Sequence, residues 1–234
     1  MNKIILTLLM TILFTPAANA QNCVNSSRCD ELGYTKTAAD CAGLDTLVCP
    51  FDSNKVFCVF SEQDCEIGDI LYEDKSCAAL PQSGKTAIGV IFSAASRLAI
   101  ALDERELTWG GHGNEIGSAA QGNWGKSNTE AILAYGKANN ISYPAAEYCN
   151  QYRTSGTGAG DWFLPSLEEL RLLSGRFSEV NSTLTLLGKS LIDGYYWSSS
   201  EYNNYNVRRL VPSSGDTGYY IKTSSYRVRP VLAF

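Results

Sequence analysis

Asp161-Trp162-Phe163-Leu164-Pro165-Ser166-Leu167-Glu168-Glu169-Leu170 is the stretch on which the fold turns. Ser166 with Glu169 three residues on is a capping box, in which each side chain satisfies the other's free backbone N–H. Leu167, Leu170, Leu173 and Phe177 then form one apolar stripe, so a helix begins at this point. Upstream, past the Gly-rich residues 155–160, Pro144 opens a helix through Tyr152, and Ser127-Asn128-Thr129-Glu130 reads as a second capping box for a helix to Asn139. Downstream everything is strand-like: Tyr195–Tyr202, Val207–Pro212, Tyr219–Thr223 and Tyr226–Phe234. Further back, Ile70-Leu71-Tyr72 is a short strand before a turn at Glu73–Ser76. Ala87–Ser93 and Arg97–Leu102 are apolar runs suited to an antiparallel pair. Helices and strands that segregate along the chain in this way predict an α+β domain.

The N-terminus reads differently. Lys3, the apolar run Ile4–Phe14 and Ala18-Asn19-Ala20 make a secretory signal peptide over residues 1–20, cleaved after Ala20. The apolar run is too short to span a bilayer, and no later segment approaches the required length of about 20 residues. Cys23 lies three positions beyond Ala20, which argues against a lipid anchor. All eight cysteines (Cys23, Cys29, Cys41, Cys49, Cys58, Cys65, Cys77, Cys149) survive cleavage, and in an exported chain an even set predicts disulfides. Six of them lie in residues 21–66, a module too poor in large aliphatics to fold on its core. Three internal bridges are the expected staples, with a Cys77–Cys149 bond across the second domain. Within the module Phe51–Cys58 reads as a hairpin turning at Asp52-Ser53-Asn54-Lys55. The cysteine gaps are too wide for zinc knuckles.

Composition narrows the function. With 24 acidic and 19 basic side chains the net charge is −5, which leaves no electrostatic footprint for nucleic acid. The single histidine excludes His-rich metal sites and paired catalytic imidazoles. Ser166 caps a helix, so its hydroxyl is expected to be engaged by backbone N–H groups rather than activated. No cofactor and no enzyme activity are expected.

Three motifs in order carry a family resemblance: Asp161–Leu170, then Tyr196-Trp197-Ser198-Ser199-Ser200-Glu201-Tyr202, then Tyr226-Arg227-Val228-Arg229-Pro230-Val231. With Ile67–Tyr72, the Ile88–Phe92 strand and the Asn128-Thr129 helix start, residues 67–234 resemble the C-terminal domain of the Legionella collagen-like adhesin and its bacterial relatives. That resemblance implies a C-type-lectin-like fold, with a mixed sheet, flanking helices and long loops. It also implies glycosaminoglycan binding, although the collagen-like stalk is absent here. The related sulfatase-modifying enzymes use a reactive cysteine pair, which a Cys77–Cys149 bond would remove.

Two stretches stand out as contact surfaces. The Gly-rich loop of residues 108–125 lacks periodicity, and loops of that length in compact domains are usually functional. It carries His112, Asn114 and Glu115, able to meet a ligand or a cation, bracketed by Trp109 and Trp124. Each tryptophan either stacks on a ligand or closes the loop against the core. The second stretch, Tyr202-Asn203-Asn204-Tyr205-Asn206, is rich in paratope-like residues and is otherwise a plain hairpin turn. From Glu201 onward Arg208, Arg209, Lys222, Arg227 and Arg229 face only Glu201 and Asp216 as acids, a surplus suited to anionic glycans. Arg227 and Arg229 share one strand face; arginines so placed also brace neighbouring carboxylates. The expected protein is thus an exported, non-enzymatic surface binder of an extracellular glycan or surface protein. The alternative is a structural component of an extracellular or envelope assembly of pilus type.

Overall fold

A computed structural model describes residues 45–49, 52–59 and 65–234. The expected signal peptide and the pairing of Cys23, Cys29, Cys41, Cys49 and Cys58 lie outside what it describes. The chain divides into two compact units, Met1–Asp64 and Cys65–Phe234. In the first, β1 (Asp45–Cys49) and β2 (Asp52–Val59) pair antiparallel, with Cys49 opposite Asp52. The expected turn at Asp52–Lys55 is instead strand.

The second unit is α+β, built on two sheets and four helices. Its six-stranded sheet contains β3 (Ile70–Tyr72), β4 (Cys77–Ala78), β5 (Ala87–Ser93) and β6 (Leu98–Ala101), with β8 (Trp162–Phe163) and β13 (Val231–Ala233), in the order β4-β3-β5-β6-β13-β8. The apolar runs at 87–93 and 98–101 are antiparallel neighbours, as their spacing predicts. Period-two alternation feeds two cores. Val90, Phe92, Leu98, Ile100 and Val231 face one of them, which the helices α3 (Leu167–Ser174) and α4 (Phe177–Leu186) cover through Leu167, Leu170, Leu173, Val180 and Leu184. Ile91, Ala99, Ala101, Trp162 and Leu232 face the other.

The five-stranded sheet runs β11 (Asp216–Ile221), β10 (Asn206–Val211), β9 (Tyr196–Glu201), β12 (Ser225–Val228), β7 (Arg105–Thr108). Only the β12–β9 pairing is parallel. Its core gathers Trp109, Ile132, Tyr143, Cys149, Trp197, Val207 and Val228 with α1 (Gly125–Asn139) and α2 (Pro144–Gln151).

Several expectations need correction. The single strand read over Tyr226–Phe234 is two strands in different sheets, parted at Arg229-Pro230, where the imide nitrogen cannot continue a ladder. Helix α1 starts two residues before Ser127 and has no side-chain cap. Its Gly125 N–H is instead satisfied by the Glu169 carboxylate, 3.1 Å away and 44 residues on. The strand at Tyr196–Glu201 is buried on both faces, because sheet and helices enclose it. Its serines are all engaged: Ser198 donates to the Arg208 carbonyl, while Ser199 and Ser200 accept from Asn128 and the Leu167 N–H.

The disulfide differs as well. Cys65 bonds Cys77, not a partner in the Cys-rich module, across a Cα–Cα distance of 5.7 Å. Cys77 lies on β4 beside β3, close to where the chain enters the sheet. Cys149 is a free, fully buried thiol on α2. The expected Cys77–Cys149 bond is absent because Cys149 packs among Trp109, Tyr143 and Trp197 in one core, while Cys77 belongs to another. Burial pushes the Cys149 thiol well above its usual range.

Candidate functional site

The long loop of residues 109–124 is fastened to the five-stranded sheet by one buried ion pair. Lys222, just past β11, places its Nζ 2.6 Å from Glu201 Oε1 at the end of β9, and neither side chain is exposed to solvent. The same ammonium donates to the Asn114 carbonyl at 2.7 Å and lies 4.9 Å from the centre of the Trp109 ring. The second Glu201 oxygen accepts the N–H groups of Ile116 and Gly117, both at 2.8 Å. Burial pushes the Lys222 ammonium below its usual range, and the Glu201 carboxylate opposes that. Every ionic group here is thus spent on holding the loop. Gly110 and Gly111, both at positive φ, pass so close to Tyr143 that a Cβ at either would overlap it. Burial, helped by Glu201, pushes the Tyr143 phenol up to about 12.

Anchored in this way, the loop meets the turn between β9 and β10. Gly113 donates to the Asn204 carbonyl at 2.8 Å, and the His112 and Tyr205 rings lie 5.2 Å apart. The two stretches that the sequence offered separately are one surface, with His112, Glu115, Tyr202 and Tyr205 exposed and Asn114 and Asn204 half-buried.

That surface continues over β10 and β11. Tyr202 and Tyr219 stack at 4.2 Å with an interplanar angle of 10°, and Arg208 lies over the Tyr202 ring at 5.1 Å. On the opposite face of these strands the Arg209 guanidinium sits 4.0 Å from the centre of the Tyr195 ring, with Tyr226 at 5.8 Å and Tyr220 at 6.0 Å. Among the described residues its Nε and Nη1 have no hydrogen-bond partner. The sequence reading placed Tyr195, Tyr219, Tyr220 and Tyr226 in strands but offered none of them as a contact residue. The Tyr-Tyr pair in an alternating strand was the available signal, since it puts one ring on each face.

Other predicted residues fall elsewhere. Trp109 is 1% exposed and its indole N–H donates to the Ser198 carbonyl at 2.9 Å, so it closes the loop against the core and presents nothing to a ligand. Trp124, 63% exposed, stands apart from it at the start of α1. The basic surplus shrinks likewise. Lys222 is the buried anchor just described. Arg227 and Arg229 both grip Glu104, at 2.6 and 2.9 Å, so they brace a carboxylate as their shared face allows. Arg208 and Arg209 remain.

Two shallow grooves flank α2, one lined by Arg105, Tyr148 and Arg153, the other by Leu133, Asn140 and Ile141; none of the predicted ligand-binding residues lines either. Among the described residues no cluster of His, Cys, Asp and Glu could hold a metal ion, and no helix is long and apolar enough to cross a membrane.

No family model and no curated protein matches the chain. A solved structure of a fimbrial protein from Bacteroides ovatus ATCC 8483 shares the fold, with a TM-score of 0.58 at 18% identity. The match covers 72% of this chain and 49% of that one, so the chain spans about half the length of its neighbour.

Proposed function

We propose that the protein is an exported, non-enzymatic component of a surface assembly of fimbrial type. The observation that carries this reading is the fold shared with a fimbrial protein over 72% of the chain. The disulfide supports an oxidising, extracellular or surface location. The use of the buried acids supports a non-enzymatic role: Glu201 is taken up by the loop, Glu104 by two arginines and Glu169 by two helix starts. The sequence resemblance supports a C-type-lectin-like fold and an adhesin-like family for the domain. The exposed Tyr202–Tyr219 stack with Arg208 favours a second reading, recognition of a glycan or surface protein by the same face.

Immunogold labelling of intact cells, with N-terminal sequencing of the chain recovered from sheared surface filaments, tests the main reading. Labelled filaments and a chain beginning at Gln21 are expected. Filaments that never carry the chain, together with reproducible salt-sensitive hits of the oxidised protein on a glycan array, would replace that reading with the second.

A further inference from the structure

The five-stranded sheet ends in two edges of unlike character. On β7, Arg105 and Glu106 supply exposed charges and α2 lies alongside, with Arg105 5.2 Å from the centre of the Tyr148 ring. Charges and a covering helix are the usual protection of an edge strand. β11 has neither. It pairs with β10 in unbroken register from Asn206 opposite Ile221 to Val211 opposite Asp216, and among the described residues no strand pairs with its outer side. It contains no proline, no lysine and no bulge, and Tyr219, Tyr220 and Ile221 are exposed. Such an edge presents free N–H and C=O groups ready for another strand.

Arg209 makes that edge selective. It stands opposite Gly218 of β11, and its Cζ and Nη2 lie 3.8 and 3.7 Å from where a Cβ of Gly218 would be. The guanidinium thus lies beside Gly218, the one β11 position without a side chain, and packs on the Tyr195 ring. Among the described residues no carboxylate pairs with it, and neighbouring strands lie about 4.8 Å apart. From these observations we propose that the outer edge of β11 takes up an extended acidic polypeptide strand, whose carboxylate beside Gly218 pairs with Arg209. Backbone bonds supply the affinity in this mode, and the side-chain contact supplies the choice of partner. A two-fold pairing of β11 with a second copy is disfavoured, since it would bring two Arg209 guanidiniums towards one another. The inference rests on the assembly reading and names the chemistry of the contact.

The probe is a synthetic peptide of alternating valine and glutamate, against the same peptide with lysine for glutamate, added to the isotopically labelled mature chain. The glutamate peptide is expected to shift and protect the amides of residues 216–221, and the lysine peptide to leave them unchanged. Arg209→Gln should weaken binding at least about tenfold and Arg209→Lys less. Gly218→Val, which fills the guanidinium's path while leaving Arg209 in place, should weaken it similarly; unchanged thermal unfolding certifies each variant. Equal binding of both peptides, no response in β11, or full binding by Arg209→Gln would overturn the proposal. Protection of β11 in the concentrated chain alone would also overturn it, in favour of a second copy. A chain found in surface filaments whose β11 amides exchange as freely as in the monomer would sink this inference alone. Peptide binding by a chain absent from filaments would instead count against the assembly reading.

Discussion

The ammonium of Lys222 touches a carboxylate, a carbonyl and an aromatic face, and no solvent. Removing one partner of a buried pair leaves the other charge unpaired in a poor dielectric, which costs about 3–5 kcal/mol. Lys222→Met should therefore lower unfolding stability by about that amount and free the loop at His112–Ile116, read out by urea denaturation and by hydrogen exchange of the Ile116 and Gly117 amides. Unchanged protection of those two amides would contradict this account. The same residue shows what sequence withheld. Counting bases after Glu201 is sound arithmetic, but charge is local only once the fold assigns partners. Lys222, Arg227 and Arg229 find theirs at Glu201 and Glu104, residues that the count either cancelled only formally or never reached. Trp109 was legible only as an alternative, because a loop tryptophan has the same sequence signature whether it faces out or in.

Among the elements, α3 was the most legible, since its cap and its stripe are both local. Ser166 and Glu169 form the capping box that their spacing predicts, with the Ser166 N–H 2.8 Å from Glu169 Oε2 and the Glu169 N–H 3.1 Å from Ser166 Oγ. The same carboxylate oxygen also accepts the Gly125 N–H and so caps the start of α1. Burial pushes the Glu169 carboxyl above its usual range, and these backbone donors hold it down. Loss of buried acceptors costs about 1–3 kcal/mol per group left unsatisfied. Glu169→Ala should accordingly destabilise the protein by about 2–4 kcal/mol, more than Ser166→Ala, as a fall in urea midpoint at unchanged slope. A loss equal to that of an ordinary single cap, about 1 kcal/mol, would show that the link to α1 carries no energy. What was misread shares a cause. The start of α1 and the short β8 are set by partners distant in sequence, and periodicity within a window cannot register them. Helix α4 was absorbed into the apolar stripe of α3 through Phe177, although Gly175 ends α3 first.

For the molecule as a whole, the bridge between Cys65 and Cys77 has an arithmetical consequence. It removes one sulfur from the Cys-rich module, and the thiol of Cys149 is sealed in a core where no other cysteine reaches it. Five remain: Cys23, Cys29, Cys41, Cys49 and Cys58. A monomer that is neither reduced nor denatured should leave Cys149 unalkylated. Once denatured without reductant, it should expose at least two thiols, Cys149 and one of the five, and mass spectrometry of the alkylated chain checks both statements. A count of zero would mean that Cys149 does find a partner among the five. Five is an odd number, so the N-terminal module cannot be closed by bridges of its own. Whatever staples it together, one sulfur is left over to stay reduced or to bond outside the chain.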